Sequence, residues 1–206
     1  MSWLAFHWAR WRRDEAALAQ YGLAWPAVDA LLRDKSVALV GNARALAQTS
    51  LGAAIDEHDL VMRLNAAPMP ARASHGARCD LLATSIPVGA SRVDALDPAL
   101  VLWMTRKRKR LAYHLARRAD FYLNPLADWQ PLADKLGAPP STGAMAIDLL
   151  SRSSARSITL CGFDFFQSRS LSGGRGAGEV PHDFVAEAKW ATELLSRDAR
   201  IALKPL

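Results

Sequence analysis

The chain has 206 residues, of which 50% are hydrophobic and 22% charged, and this composition excludes intrinsic disorder as its main state and predicts a folded domain. Its two cysteines exclude a disulfide-dense scaffold and a four-cysteine zinc site. The net charge is +6, and no apolar run approaches the roughly 20 residues that a membrane-spanning helix needs, so we expect a cytoplasmic protein.

The first 33 residues form a segment of their own, rich in tryptophan and arginine. They contain four of the seven tryptophans: Trp3, Trp8, Trp11 and Trp25. Leu4, Trp8 and Trp11 fall on one face of a predicted helix. This face predicts either a helix packed on the main fold or an anchor in the headgroup region of a membrane, where Trp and Arg are both suited. We therefore separate a helical segment, 1–33, from a main domain, 34–206.

Strands and helices alternate along the main domain. Strands are predicted at 36–40, 59–65, 80–84, 100–104, 120–123, 157–161 and 200–203, and helices at 43–54, 142–150 and 182–197. This alternation predicts an α/β fold: a single Rossmann-like domain with a mainly parallel sheet flanked by helices. In such folds, ligands bind at the carboxyl ends of the strands.

The positive charge is concentrated in one run. Residues 105–118, TRKRKRLAYHLARR, contain seven Lys or Arg and no acid, and without them the chain would carry a charge of −1. The run predicts either a solvated helix face or a surface that binds a polyanion, such as an anionic membrane or an acidic glycan. Nucleic acid is not predicted as the partner, because Tyr113 is the only aromatic residue in the run and no nucleic-acid motif accompanies it.

Two turns lead from predicted strands or loops into helices. VGN, at Val40–Asn42, and PSTG, at Pro140–Gly143, both place backbone amides where an anion or nucleotide could bind. Neither turn contains the glycine spacing of a dinucleotide fingerprint or a P-loop. The plain alternative for Ser141 or Thr142 is capping of the following helix.

His182, which follows Pro181, is the candidate general base, since histidine titrates near neutrality. Glu187 lies five residues further on, and the two side chains can meet only if His182 lies in the turn that leads into the helix. The acids around His58, in IDEHD, are more simply charged turn residues than a metal site, and no metal is predicted. The glycine-rich segment 168–181 predicts either a lid over a substrate or a disordered connection.

Three segments in order resemble the sialyl motifs of the animal-type sialyltransferases. Residues 40–68, VGNARALAQTSLGAAIDEHDLVMRLNAAP, resemble the large motif. Residues 140–164 resemble the small motif, which begins PSTG and ends GFD, and residues 182–187, HDFVAE, match the very small motif H-x-x-x-x-E. Each fragment alone is a weak signal, but the ordered set is specific and covers about a third of the chain.

The resemblance implies a metal-independent, GT-A-like variant of the fold, without a cofactor, and transfer with inversion from a CMP-activated donor to a glycan acceptor. By position, the donor site would contain these residues: Gly41, Asn42, Asn65, Ser141, Thr142, Gly143 and Asp164. His182 would take the proton of the acceptor hydroxyl, and Glu187 would support the segment that holds it. The main domain, 34–206, would thus be a CMP-sugar-dependent glycosyltransferase domain.

The chain also departs from the family pattern. Ala43 follows Asn42 where the family has glycine or serine, and the cysteines of the family disulfide are missing, so we expect Cys79 and Cys161 to be free thiols. The third motif, which contains a phosphate-stabilising histidine, is absent, and Arg169 or Arg175 could replace it. The alternatives that remain open are transfer of 3-deoxy-manno-octulosonic acid (Kdo) from CMP-Kdo and a nucleotide-binding module without catalysis. The basic run and the tryptophans suggest peripheral contact with an anionic inner membrane face.

Overall fold

A computed structural model describes residues 2–164 and 181–206. Seven strands form its central sheet: β1 Ser36–Val40, β2 Leu60–Leu64, β3 Leu81–Thr84, β4 Leu100–Trp103, β5 Phe121–Leu123, β6 Ser157–Cys161 and β7 Ile201–Leu203. Their order is β5-β4-β3-β2-β1-β6-β7, and every pairing is parallel. The predicted α/β fold with a mainly parallel sheet is therefore confirmed.

The order of the strands places a topological switch between β1 and β6. From β1 to β5 the chain adds each strand on one side, and it then returns to place β6 on the other side of β1. The loops that follow β1 and β6 consequently run in opposite directions and leave a crevice at the carboxyl ends of these strands. Open α/β sheets bind their ligands at such a point.

Helices cover both faces of the sheet. They are α1 Trp3–Arg12, α2 Glu15–Ala19, α3 Trp25–Leu32, α4 Gly52–Asp56, α5 Arg72–His75, α6 Ala90–Leu96, α7 Tyr113–Ala116, α8 Leu126–Leu136, α9 Thr142–Ser151 and α10 Phe184–Arg197. Short 3₁₀ helices lie at Arg44–Gln48 and Arg108–Arg110. α3, α8, α9 and α10 pack on one face with Val37 and Leu39, whereas α1, α2, α6 and α7 pack on the other with Leu82 and Val101. Both faces of the strands are thus apolar, as in buried parallel sheets.

The N-terminal segment crosses the β5 edge of the sheet. Phe6 and Leu18 pack in the core on one face, and Val28 and Leu32 pack in the core on the other. Between them, the Leu23 amide donates a hydrogen bond to the Phe121 carbonyl at 2.7 Å. The segment 1–33 is helical, as predicted, and it covers the edge strand that would otherwise be exposed.

One predicted helix is wrong. Residues 43–54 form a 3₁₀ helix at Arg44–Gln48 and then α4, because Thr49 between them is extended, with φ −103° and ψ 170°. A Cβ atom on Gly52 would overlap the carbonyl oxygen of Arg72, so the new helix starts where α5 packs against its backbone. Contacts between these two short helices therefore override the helical pattern of the sequence.

Candidate active site

A cavity of about 460 Å³ opens at the switch point between β1 and β6. Its volume lies within the range of roughly 300–1,000 Å³ that is usual for ligand pockets. The described residues predicted for the site all line it: Gly41, Asn42, Asn65, Ser141, Thr142, Gly143, Asp164, His182 and Glu187. Arg169 and Arg175, together with most of the predicted lid 168–181, lie outside the described residues.

Two glycines let the loops after β1 and β6 touch. A Cβ atom on Gly41 would overlap the carbonyl oxygen of Gly162, and Gly162 itself has a φ of +73°, which favours glycine. The amides of Gly41 and Ala43 donate to the carbonyls of Cys161, at 2.7 Å, and of Gly162, at 3.2 Å. The prediction that the VGN turn offers free amides to an anion is therefore wrong for Gly41, whose amide joins the loops instead, as does the amide of Ala43 just beyond the turn.

We expect Gly41→Ala to lower the free energy of unfolding by about 1–3 kcal/mol, since a methyl group forced against backbone atoms strains a packed site. Gly89→Ala is the matched control, because no atom lies within 4 Å of a Cβ built there. Urea unfolding measures both variants. Equal midpoints for the two would contradict the tight contact between the loops.

Asn65 connects three elements that line the cavity. It lies directly after β2 with a φ of 56°, in the left-handed region that asparagine tolerates better than most residues. Its Oδ1 accepts hydrogen bonds from the Ser85 amide at 3.0 Å and the Thr142 hydroxyl at 3.5 Å. Asn42 reaches the same strand end, where its Nδ2 donates to the Leu64 carbonyl at 3.4 Å. The two asparagines thus stabilise the rim that they line.

The start of α9 is held by Glu187. Ser141 is the N-cap, and its Oγ accepts from the Ala144 amide at 3.1 Å. The carboxylate of Glu187, on α10, accepts from both the amide and the hydroxyl of Ser141, each at 2.6 Å. The predicted capping role of Ser141 is confirmed, while its own amide is taken by the carboxylate. The next amides of the first turn, at Thr142 and Gly143, have no acceptor within the helix, as at any helix start.

Glu187 is only 4% exposed, and burial raises its pKa to about 7, against the lowering effect of the two hydrogen bonds from Ser141. Desolvation disfavours the ionised form of a carboxyl group. The group that holds α9 in place therefore titrates close to neutral pH. The protonation state of Glu187, which bonds Ser141 at the start of α9, therefore changes with pH in this range.

His182 is arranged as a base. It precedes α10 in the leading turn, where Asp183 is the N-cap, and its Nδ1 lies 2.7 Å from the Pro139 carbonyl oxygen. Because a carbonyl oxygen can only accept, Nδ1 carries the proton, and Nε2 of the neutral ring keeps its lone pair. Burial lowers the pKa of His182, and the charge of Lys107 lowers it further, against the effect of the bond to Pro139.

His182 and Glu187 act on the same loop. The first contacts Pro139 and the second contacts Ser141, so both fix the segment that leads into α9. The sequence raised the question of whether the two side chains meet, and the structure instead has each of them bound to this loop. The resemblance implies that Glu187 supports the segment that holds His182, whereas its hydrogen bonds go to the loop before α9, so that role stays a prediction.

The basic run is not a helix face. It passes from the end of β4 through the 3₁₀ helix Arg108–Arg110 into α7, and its members differ in their surroundings. Arg108 is 2% exposed and pairs with Glu15 at 2.9 Å, while Arg118 pairs with Asp120 at 2.6 Å. The run therefore does not form the solvated helix face that was one of its two predicted roles.

Three cations of the run line the cavity: Arg106, Lys107 and Arg110. The guanidinium of Arg106 lies over the ring of Trp129, 4.7 Å from its centroid, which holds it at the wall. This location was not predicted from the sequence. A signal for it was present, because the run directly follows β4, whose carboxyl end faces the site. Among the described lining residues, the only acids are Asp164 and Glu187, so the wall carries an excess of positive charge.

Other polar clusters of the sequence have structural roles. In IDEHD, Asp56 accepts from the Ala77 and Arg78 amides, His58 lies 2.8 Å from the Thr159 hydroxyl, and Asp59 binds Ser36. Within 2–164 and 181–206, no group of three His, Cys, Asp or Glu side chains is placed to hold a metal ion.

The cysteines and helices complete this picture. Cys79 and Cys161 are buried free thiols, as expected, and burial raises their pKa values to about 12 and about 11. None of the helices described is long and apolar enough to cross a membrane.

Comparison with known proteins agrees with the motifs. Residues 29–87 match the sequence model of glycosyltransferase family 29 (sialyltransferase). No curated protein matches the chain by sequence. The resemblance to sialyltransferases predicted from the motifs is thus confirmed over the segment that contains β1, β2 and β3.

Solved sialyltransferases share the fold. A mammalian sialyltransferase in complex with Gal-β-1,3-GalNAc-ortho-nitrophenol has a TM-score of 0.63 at 19% identity, over 85% of this chain and 71% of the other. A further mammalian sialyltransferase structure gives 0.64 at 20% identity, over 83% and 69%. The sialyltransferase CstII from Campylobacter jejuni, in complex with cytidine-5'-monophosphate, gives 0.54 at 14% identity, over 83% and 79%. At 14–20% identity, these structures show that the fold is shared.

Proposed function

We propose that the protein transfers a sialic acid, or a closely related ulosonic acid, from a CMP-activated donor to a hydroxyl group of a glycan acceptor, with inversion. One observation carries the proposal: three separate motif segments meet at one cavity, where His182 keeps Nε2 free to accept a proton. The structural relatives add support, because CstII has been solved with CMP and with CMP-3FNeuAc, and a mammalian sialyltransferase with a galactoside.

The cavity suits an anionic donor. A CMP-linked ulosonic acid carries a phosphodiester charge and a carboxylate, and Arg106, Lys107 and Arg110 bring three positive charges to the same wall. The first-turn amides of α9 add a favourable dipole for an anion. Lys107 and its neighbours are therefore our candidates for the role of the missing third-motif histidine, beside Arg169 and Arg175.

The proposed reaction is a single displacement. The acceptor hydroxyl oxygen attacks the anomeric carbon while the bond from that carbon to the CMP phosphate oxygen breaks, and CMP leaves with the electron pair. The hydroxyl proton moves to Nε2 of His182. Attack on the face opposite to CMP inverts the anomeric centre, and the transition state has oxocarbenium character.

We propose that no metal ion takes part. One phosphate leaving group develops less charge than a diphosphate, and the cations and amides of the cavity can stabilise it. Transfer should therefore continue in the presence of EDTA.

A donor screen tests the proposed function. Thermal shifts with CMP, CDP, UDP and GDP should single out CMP, and hydrolysis of CMP-sialic acid should then exceed that of CMP-Kdo. Faster hydrolysis of CMP-Kdo would reassign the sugar. Binding of CMP with no release from either donor, with or without glycan acceptors, would leave a nucleotide-binding module and contradict the proposal.

Lys107→Met should weaken donor binding about tenfold, since a hydrogen bond to a charged group is worth roughly 1.5–3 kcal/mol. It should also shift the acid limb of the pH–rate profile upward, because the Lys107 charge lowers the pKa of His182. Lys109→Met is the matched control, two residues away and exposed, but not part of the cavity lining. Isothermal titration and pH profiles that do not distinguish the two variants would contradict the role of Lys107.

A further inference from the structure

One face of α1 exposes an unusual amount of apolar surface. Trp3, Leu4, Trp8 and Trp11 are 55%, 72%, 60% and 69% exposed, and we refer to these four residues as the tryptophan face. Every exposed tryptophan of residues 2–164 and 181–206 belongs to it. Contiguous apolar patches of this kind mark surfaces that bind a partner or a membrane.

The face is preformed and does not depend on binding for its structure. On the opposite side of α1, Phe6 is 0% exposed, and its ring packs against Tyr21 and Tyr113 with centroids 5.3 and 5.2 Å apart. The Arg10 guanidinium donates to the Leu111 carbonyl at 2.9 Å. The helix is therefore fixed through one side while the other presents its indoles outward.

Positive charge surrounds the tryptophan face. α1 contains no acidic residue, and the guanidinium of Arg12 lies 5.6 Å from the centre of the Trp8 ring. Arg13 follows and is exposed, and the 3₁₀ helix Arg108–Arg110, with exposed Lys109, packs against α1. Two acids follow Arg13: Asp14 caps α2 by accepting from the Ala17 amide at 3.0 Å, and Glu15 pairs with Arg108 at 2.9 Å.

We infer that the tryptophan face binds the headgroup region of an anionic phospholipid bilayer, with α1 lying in the plane of the membrane. Indole rings favour the boundary between headgroups and acyl chains, and adjacent Lys and Arg side chains are attracted to anionic lipids. A protein partner could be recognised by the apolar face alone or by the positive charge alone. A membrane interface has both an apolar layer and an anionic headgroup layer, and exposed indoles surrounded by cations match the two together. Ten residues of helix suffice to lie in this layer but not to span it.

The location of the face gives the inference a consequence for catalysis, which rests on the proposed function. The 3₁₀ helix that packs against α1 also contains Arg110, which lines the cavity. A bilayer bound to α1 therefore lies beside the proposed active site. Acceptors that are attached to lipid would be concentrated there.

Cosedimentation of the full chain with vesicles tests the inference. The wild-type protein should bind phosphatidylcholine vesicles containing 30% phosphatidylglycerol, and release should follow added salt. The double variant Trp8→Ala/Trp11→Ala should bind at least about tenfold more weakly, and Arg12→Ala about fivefold. Val185→Ala, which removes apolar surface from an 82% exposed side chain on α10, is the control and should bind like the wild type.

Wild-type protein that stays in the supernatant at low salt, or a Trp8→Ala/Trp11→Ala variant that binds unchanged, would overturn the inference. If these tryptophans instead mediate self-association, visible by analytical ultracentrifugation without vesicle binding, the face belongs to a second copy and the inference also fails. His182→Ala should bind vesicles normally. A failed donor screen with intact vesicle binding would therefore refute the proposed function and leave the membrane surface standing.

Discussion

Replacing His182 with alanine is expected to lower the transfer rate by roughly 10²–10⁴, the usual contribution of a general base. The affinity for CMP should change by no more than about twofold, because the base acts on the acceptor in the transition state. The reason lies in the hydrogen bond from Nδ1 to the Pro139 carbonyl, which leaves Nε2 as the proton acceptor. Single-turnover transfer from CMP-sialic acid, with CMP binding measured by titration, checks both parts.

A conservative variant separates chemistry from structure. His182→Asn can still donate a hydrogen bond to Pro139 but has no basic lone pair, so it should lose as much activity as the alanine variant. His114→Gln is the control: His114 lies outside the cavity, and glutamine can keep its contact with the Val88 carbonyl. An asparagine variant that retains wild-type transfer would reject His182 as the base.

The pH dependence follows from the same ring. Because burial lowers the pKa of His182 below the ordinary value of 6.5, the imidazole stays neutral and able to accept a proton as the pH falls through 6.5. The acid limb of kcat/KM should therefore have its midpoint below pH 6.5. In wild-type protein Glu187 titrates near 7 and overlaps this region, so the limb is best measured in Glu187→Gln.

The second large effect is expected on stability, at Glu187. Its pKa is raised from 4.5 to about 7 in the folded state, so the folded protein holds this proton more tightly than the unfolded chain does. The stability gained by protonation is fully present below pH 4.5 and is lost as the pH rises through about 7. Relative to Glu187→Gln, the wild type should thus lose about 3 kcal/mol between these limits.

Urea unfolding at pH 5 and pH 8 measures this difference. At pH 5 the two proteins should have similar free energies of unfolding, since glutamine resembles the protonated carboxyl and can hydrogen-bond to Ser141. At pH 8 the glutamine variant should be the more stable one. A wild-type minus variant difference that is equal at both pH values would contradict the buried titration.

Most of the sheet could be predicted from the sequence. β1 and β6 were predicted with their observed bounds, because SVALV and SITLC are short apolar runs that end at turn residues. The start of α9 was predicted from its N-cap, Ser141. In these places local propensity and tertiary packing favour the same structure.

Long-range contacts account for what could not be predicted. α8 was missed although Trp129, Leu132, Ala133 and Leu136 recur at helical spacing, and Pro131 within it obscures the pattern. The break at Thr49 depends on α5, which is some twenty residues away in sequence. Glu187 reaches Ser141, and Nδ1 of His182 reaches Pro139, because of how α10 packs beside α9.

The candidate site, too, could be predicted only in part from the sequence. The motifs named residues that line the cavity, from Gly41 to Glu187, because the resemblance assigned them by position. The cations of the wall were visible only as a charge run. Arg108 is buried and pairs with Glu15, whereas Lys107 lines the cavity. This difference follows from the turn after β4, which no periodicity of the sequence indicates.

The central claim is that one cavity binds CMP and leaves His182 free to activate the acceptor. A crystal structure of the protein with CMP tests it most directly. The account predicts CMP between the Gly41–Asn42 loop and the start of α9, with its phosphate near Lys107 and Nε2 of His182 open to the acceptor side. CMP bound at another cavity, or no CMP bound at millimolar concentration, would contradict the account.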